Sequence, residues 1–361
     1  MSRRTPTTAR RRLPSALLAL LALVALLAVA AGCGSDSGES EATAASPSAD
    51  TPAAAATPSE PLKVALLTSG LTNDGGFNQW AAEALGRLED EGLVEAQIRQ
   101  QLSDPTAAEP VLREFASRGY DLVIGHGIDL SEATLKVARQ FPDVHFATTG
   151  DNTLEDKLLP NVDGWTYDFG QFGYIAGFVA GTIEGADRVG VVGGPQIPFV
   201  EIAGEGFAAG LHAQNPKAEI STTYTGEFYD SQKEQEATRG LIEDGNTLIF
   251  ANTAEGNGVA PAAQAGGAWT IGVAVKGSPA AKDVNITSPS LNLYPVYKAY
   301  VDEIHGGDFG GRFTVGSIAN EQIGIEPVNR VSDAVPADLQ EQVDRLAKRL
   351  ASGDLELPDF S

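Results

Sequence analysis

The sequence predicts an α/β protein built from two doubly wound lobes, and two observations carry this prediction. From residue 62 onward, short apolar runs rich in β-branched residues alternate with amphipathic helical stretches. The runs are apolar nearly throughout, as buried parallel strands are. They are too many for one open sheet and lack the eightfold regularity of a barrel, so two lobes facing each other across a hinge fit best.

The first predicted strand is LKVALLTS at residues 62–69, and a helix with apolar residues at helical spacing follows at 78–91. The later predicted strands share the same short, apolar pattern: 120–127, 144–150, 188–194, 219–226, 247–253 and 269–275. Helical stretches such as 207–214 and 231–243 lie between them. Ligands of such sheets bind beyond the carboxyl ends of the strands, so the loops that follow these strands are the candidate site.

The N-terminus has the pattern of a bacterial lipoprotein signal. Five arginines precede an apolar run at residues 13–31, which leads into Ala30-Ala31-Gly32-Cys33. Such a signal is cleaved before the cysteine, whose sulfur carries diacylglycerol. We therefore expect residues 1–32 to be removed and Cys33 to hold the chain on the extracytoplasmic face of the cell membrane. The alternative is an uncleaved N-terminal membrane anchor with an incidental cysteine.

Residues 33–61 are predicted to be a flexible tether, since residues 34–61 contain no aromatic or large aliphatic side chain and cannot bury enough surface to fold. The formal net charge of the whole chain is −23, and the five signal arginines would leave with the signal. This charge argues against nucleic acid as a partner. The negative charge has two interpretations. It is typical of a protein that stays soluble outside the cell, and, more specifically, it would suit a cationic ligand.

The chemistry-bearing residues are sparse. Cys33 is the only cysteine, and the four histidines form neither HxxxH nor HExxH, so we expect no metal and no cofactor. A surface hydrolase would need a GxSxG nucleophile elbow or a metal cluster, and the sequence contains neither. No catalytic residue is therefore predicted, and the chain is not expected to be an enzyme.

Residues 64–85, VALLTSGLTNDGGFNQWAAEAL, resemble the opening strand, Asp-x-x-Phe-Asn loop and first helix of the BMP (basic membrane protein) family. These are purine-nucleoside receptor lipoproteins that feed ABC importers. The resemblance is strongest at residues 172–216, persists at 226–245 and 285–288, and covers nearly all of the mature domain. It implies two Rossmann-like lobes joined by a hinge, as in type I periplasmic binding proteins, with a small-molecule ligand and an ABC permease as partners.

The expected lobe boundaries follow from this fold. Residues 62–168 together with about 280–315 are assigned to the N-terminal lobe, and residues 169–279 together with about 316–361 to the C-terminal lobe. A ligand-sensing lipoprotein without a dedicated permease is the alternative function.

The resemblance also implies ligand-binding residues. Phe77 and Phe228 match the two aromatic residues between which the family holds a base, although either could pack in the core and Tyr229 could replace Phe228. Asn78 offers a donor and an acceptor to a purine edge, or alternatively caps the helix that follows. Asp74 matches the family's loop acid but is also an ordinary turn residue.

Further candidates lie after later strands or depart from the family. Asn252 and Thr253 match a cleft-lining loop. Thr68 and Ser69 occupy the place of a family aspartate after the first strand. Ala274 occupies the place of the family aspartate that binds the ribose hydroxyls, and Leu291 lies near the place of a family lysine. Because a site that has lost buried hydroxyl partners discriminates against the sugar, we expect a flat or less hydroxylated ligand.

Overall fold

The computed structural model describes residues 60–254, 256–273 and 277–360. The strands are β1 Leu62–Thr68, β2 Val94–Arg99, β3 Leu122–His126, β4 His145–Thr149, β5 Val162–Tyr167, β6 Arg188–Gly193, β7 Glu219–Tyr224, β8 Leu248–Asn252, β9 Trp269–Gly272, β10 Asn285–Thr287, β11 Pro289–Leu291, β12 Phe313–Gly316 and β13 Ile323–Ile325. The helices are α1 Phe77–Asp90, α2 Pro105–Ser117, α3 Ser131–Ala138, α4 Phe169–Thr182, α5 Pro198–Gln214, α6 Ser231–Glu243, α7 Val259–Gly266, α8 Ala281–Val284, α9 Tyr294–Gly306 and α10 Leu339–Ser352. Two 3-10 helices span Ile128–Leu130 and Asn152–Lys157.

The first sheet has six strands in the order β12-β5-β4-β3-β1-β2, all parallel. Every residue of β3 is buried, as the unbroken apolar pattern of a strand covered on both faces requires. Helices α1 and α9 pack on one side of this sheet, and α2 and α3 lie on the other. The sheet therefore forms a three-layer α/β lobe.

The second sheet has five parallel strands in the order β10-β9-β8-β6-β7. In both sheets the first strand in sequence lies between the second and the third, which is the flavodoxin-like order. The strand order therefore reverses between β1 and β3 in one lobe and between β6 and β8 in the other. The prediction of two doubly wound lobes is confirmed.

The chain crosses between the sheets at three places, and hydrogen bonds tie the crossing segments together. Strands β11 and β13 form an antiparallel ribbon. Trp165 Nε1 donates to Gln322 Oε1 at 2.8 Å, and the amide of Asp168 donates to the carbonyl of Gly316 at 2.8 Å. Within the segment at about 280–315, β10 pairs with the second sheet and β12 with the first.

Helices α4 and α5 pack backbone to backbone in the second lobe because glycines line their interface. A Cβ on Gly173 would lie 1.9 Å from the carbonyl oxygen of Ala203, and one on Gly177 would lie 1.9 Å from that of Phe207. No larger residue fits at these two positions without moving a helix.

The predicted strands are present, each with bounds within a few residues of those predicted; the last of them ends at Gly272. Among the described residues, no helix has both the length and the apolar character that crossing a bilayer requires. The predicted signal, the tether and Cys33 lie outside the described residues.

Candidate functional site

A cavity of about 90 Å³ lies between the two sheets, at the carboxyl ends of their strands. Its lining comes from loops at the strand-order reversal of both lobes, which is where open α/β sheets bind ligands. The described lining residues are Phe77, Trp80, Gly127, Ile128, Asp129, Thr149, Gly150, Tyr167, Phe169, Phe172, Phe199, Val200, Phe228, Tyr229, Asn252, Thr253, Ala254 and Val273.

Phe77 brings an aromatic ring to the cavity from the first lobe. It is the first residue of α1, and one face of its ring stacks on His126 with 4.0 Å between centroids and 22° between planes. His126 Nε2 lies 3.0 Å from the carbonyl oxygen of Phe77. A carbonyl only accepts, so Nε2 carries the proton of this histidine. Burial lowers the pKa of His126 to about 4, and the ring is therefore neutral at physiological pH.

Aromatic rings from the crossing segment and the second lobe continue the wall. Tyr167 and Phe169 have centroids 4.1 Å apart, and Phe169 and Phe199 have centroids 4.8 Å apart. The rings of Phe199 and Phe228 are stacked and nearly parallel, with 8° between planes and 6.0 Å between centroids. These four rings form a continuous apolar surface that suits a flat, unsaturated ligand.

Phe228 lies in the short loop between β7 and α6, and local bonds fix this loop. Gly226 adopts φ 77°, a left-handed conformation that glycine accepts without strain. Thr225 Oγ1 donates to the carbonyl of Glu227 at 2.8 Å, and Asp230 caps α6 by accepting from the amides of Gln232 and Lys233. The aromatic pair Phe228-Tyr229 is therefore held between two anchored residues.

The loop before α1 is organised by Asp74, which is almost fully buried. Its carboxylate accepts from the amides of Gly76, Asn78 and Gln79 at 2.9–3.1 Å and from Asn78 Nδ2 at 2.8 Å. Asn78 Oδ1 in turn accepts from the amide of Gly70 at 3.2 Å. Both ends of the Asn78 amide are thus engaged inside the protein. Neither Asp74 nor Asn78 lines the cavity.

Thr68 and Ser69 end the first strand and are buried. Thr68 Oγ1 donates to the carbonyl of Gly70 at 2.9 Å, whereas Ser69 Oγ donates to Asp129 Oδ1 at 2.6 Å. Asp129 lies on the 3-10 helix after β3 and does line the cavity. Burial raises the pKa of Asp129, and the hydrogen bond from Ser69 opposes that effect.

Tyr229 reaches from the second lobe to the first. Its hydroxyl interacts with the side chains of Asn78 and Ser69, and burial raises its pKa well above the usual value. A Cβ on Gly70 would lie 2.8 Å from Tyr229 Cε1, so the ring passes directly over the Gly70 backbone. Tyr229 therefore lines the cavity while contacting the loop of the first lobe.

The loop after β8 supplies polar groups from the second lobe. Asn252 Nδ2 donates to the carbonyl of Val200 at 2.9 Å, and Thr253 Oγ1 accepts from the amide of Gly256 at 3.1 Å. Both residues line the cavity.

Five residues named from the sequence therefore line the cavity, and ligand contact there stays a prediction: Phe77, Phe228, its alternative Tyr229, Asn252 and Thr253. Thr68, Ser69, Asp74 and Asn78 shape the loops behind it. Leu291 is buried in β11 and is not among the lining residues. Ala274 and Cys33 lie outside the described residues.

Sequence reasoning missed Asp129, Tyr167, Phe169 and Phe199. The position of Asp129, a few residues after the third strand, was the available signal, because that loop was already a candidate. Nothing in the sequence distinguished Phe169 and Phe199 from core phenylalanines, because the crossing geometry that turns them toward the cleft involves residues far apart in the chain.

Two parallel-sheet lobes, three crossings and an aromatic cavity between the carboxyl ends define the class of type I solute-binding proteins. The chain belongs to the Bmp family, described as ABC transporter substrate-binding protein PnrA-like, which matches residues 62–360. The recognition made from the sequence is confirmed. Membership implies a small-molecule ligand, a transporter permease as partner and an extracytoplasmic place of action.

Relatives and solved structures agree with this assignment. The chain is similar to an ABC transporter solute-binding protein from Conexibacter woesei, with 56% identity, a TM-score of 0.74 and coverage of 83% of this chain and 99% of that one. It is 27% identical to the CD4+ T-cell-stimulating antigen of Listeria monocytogenes, over 83% of this chain and 89% of the relative. It is 25% identical to a purine-binding protein of Brucella abortus, over 54% and 55% of the two chains.

Proposed function

We propose that the protein captures a small, flat heteroaromatic solute, of nucleobase or nucleoside type, and delivers it to an ABC importer from a lipid anchor on Cys33. The observation that carries the proposal is that Phe77 of the first lobe and Phe228 of the second line one cavity. Aromatic residues from two lobes hold a flat ring from both sides only when the lobes close around it.

A free base requires less widening of the cavity than a nucleoside does. Its volume of about 90 Å³ is below the roughly 150 Å³ of an apolar cavity that admits benzene, so even a base requires the lobes to move apart slightly. A ribose would require more space and several hydroxyl partners. Asn252 and Thr253 already use part of their hydrogen-bonding capacity within the protein.

Calorimetry with adenine and adenosine tests this proposal. We expect adenine to bind more tightly than adenosine. Replacing Phe77 with Ala should weaken binding about tenfold or more, because it removes stacking and apolar burial together. Phe141→Ala is the matched control, since Phe141 is also a half-buried phenylalanine but precedes the amino end of β4, whereas the cavity lies at the carboxyl ends of the strands. Micromolar adenosine binding that survives Phe77→Ala unchanged would refute this use of the cavity.

The lipid anchor is tested separately. Cys33→Ser should abolish incorporation of a fatty-acid analogue, while Ser35→Ala, two residues away, should leave labelling intact. Labelling that persists in Cys33→Ser would place the anchor elsewhere.

A further inference from the structure

Among the described residues, eight aromatic side chains and one carboxylate line the cavity. Among the described residues that line it, Asp129 is the one with a charged side chain, and no lysine, arginine or histidine accompanies it there. A half-buried carboxylate facing an apolar cavity loses hydration, and that loss must be offset by hydrogen bonds or by a positive charge.

The position of Asp129 is fixed by a contact that only glycine permits. Gly127 has φ 146°, and a Cβ there would lie 2.0 Å from Ser69 Oγ and 2.6 Å from Asp129 Oδ1. Because Gly127 leaves that space free, Ser69 Oγ donates to Asp129 Oδ1 at 2.6 Å. Among the described residues, the carboxylate accepts only from neutral groups, the Ser69 hydroxyl and its own backbone amide, and burial raises its pKa against both of these hydrogen bonds.

The aromatic walls are suited to a positive charge. The face of a benzene-type ring carries negative electrostatic potential, and cations bound among several such faces gain about 2 kcal/mol or more when desolvated. The formal net charge of −23 also raises the local concentration of cations around the protein. A neutral ligand could use the rings and donate an N–H to Asp129, but it would bring no opposite charge to the carboxylate.

We propose that the solute is a small, flat heteroaromatic cation whose ring lies against Phe77 and Phe228 and whose positive charge faces Asp129. The proposal rests on the proposed function, since it assumes that this cavity is the solute site, and it specifies the charge of the ligand.

The test compares N-methylpyridinium with toluene, which has the same shape and number of heavy atoms but no charge. Calorimetry should show N-methylpyridinium binding about tenfold or more tightly than toluene. Asp129→Asn keeps an oxygen that can accept from Ser69 and removes the charge, so it should abolish that preference.

The matched control is Glu132→Gln. Glu132 is exposed, lies three residues further along and does not line the cavity, yet its substitution changes the net charge by the same amount. The preference for N-methylpyridinium should persist in this variant. Equal binding of the two probes, or a preference that survives Asp129→Asn, overturns the inference.

Adenine, which is neutral at neutral pH, separates this inference from the proposed function. If adenine binds and loses affinity in Phe77→Ala while N-methylpyridinium does not bind, the inference of a cation is overturned and the proposed function stands. If neither probe binds, both are overturned.

Discussion

The imidazole of His126 both stacks on the ring of Phe77 and holds its backbone. The ring centroids are 4.0 Å apart, and Nε2 lies 3.0 Å from the Phe77 carbonyl oxygen. On the other side of the imidazole, Nδ1 lies 3.4 Å from the hydroxyls of Thr149 and Tyr297. One buried histidine at the end of β3 thus connects α1, β4 and α9 directly behind the cavity wall.

Acid should destabilise the protein through His126. Its pKa is about 4 in the fold against 6.5 when unperturbed, so the unfolded chain binds the proton more readily between these values. The contribution of His126 to stability is therefore complete above pH 6.5 and lost as the pH falls toward 4, by about 3 kcal/mol. His126→Phe keeps an aromatic ring against Phe77 and removes this titration. Urea unfolding across this pH range should show that the variant loses less unfolding free energy on acidification than the wild type does. An equal dependence on pH in both proteins would contradict the assignment.

Asp163 should act in the opposite direction. Burial raises its pKa from 3.8 to about 6, against the lowering influence of Arg312, whose amide donates to Asp163 Oδ1 at 2.9 Å. The folded state therefore binds the proton more readily, and stability falls by about 3 kcal/mol as pH rises from about 4 to 6. Asp163→Asn keeps the acceptor for Arg312 and cannot ionise. The unfolding free energy of Asp163→Asn minus that of the wild type should increase as the pH rises from about 4 to 6. A difference that does not change with pH would refute the prediction.

The fold followed from the sequence because parallel strands covered by helices leave an unmistakable apolar pattern. Strands such as β1, β3 and β8 are buried at nearly every position, and their sequences are correspondingly apolar. Strand β2, by contrast, lies at the edge of its sheet, and its sequence VEAQIR mixes exposed and buried positions. An edge strand of this kind carries a weaker pattern and was missed.

The site was predictable only in part, because several of its residues are positioned by contacts between segments that are distant in the chain. Phe77 and Phe228 were found through the family resemblance. The sequence left Asn78 as either a ligand contact or a helix cap, and its amide lies between Asp74 and Gly70, where it stabilises the loop. Asp129 acquires its place through Ser69, sixty residues earlier in the chain. Such pairings depend on the order of strands in the sheet, which local sequence does not encode.

The glycine interface of α4 and α5 should be intolerant of even one methyl group. Gly173→Ala places a Cβ 1.9 Å from the carbonyl oxygen of Ala203, and separating the helices should cost about 1–3 kcal/mol of unfolding free energy. Gly204→Ala is the control, since Gly204 lies in α5 and no atom beyond its own stretch of helix backbone is within 4 Å of the added Cβ. It should stabilise by about 0.5–1 kcal/mol. Thermal and urea unfolding measure both. If Gly173→Ala leaves the unfolding free energy unchanged, the two helices pack less closely than the 1.9 Å approach implies.

The contact between Gly70 and Tyr229 should couple the two lobes energetically. A Cβ on Gly70 would lie 2.8 Å from Tyr229 Cε1 and 2.6 Å from Asn78 Nδ2, so Gly70→Ala should displace the ring and cost about 1–3 kcal/mol of unfolding free energy. Tyr229→Ala removes the ring that the methyl group would strike. In that background Gly70→Ala should cost less, with a coupling of about 0.5–3 kcal/mol, because the two residues share one contact.

The same double-mutant cycle separates this contact from a merely local effect of Gly70. If the methyl group acts only through Asn78, the two substitutions add within about 0.5 kcal/mol, and Tyr229 has no part in the glycine requirement. If they couple, the space at Gly70 serves to admit a side chain from the opposite lobe. Tyr229→Phe then isolates the hydroxyl, which interacts with Ser69 and Asn78, and should cost about 0.5–1.5 kcal/mol. Urea unfolding of the four ligand-free proteins of the cycle and of Tyr229→Phe gives each of these quantities.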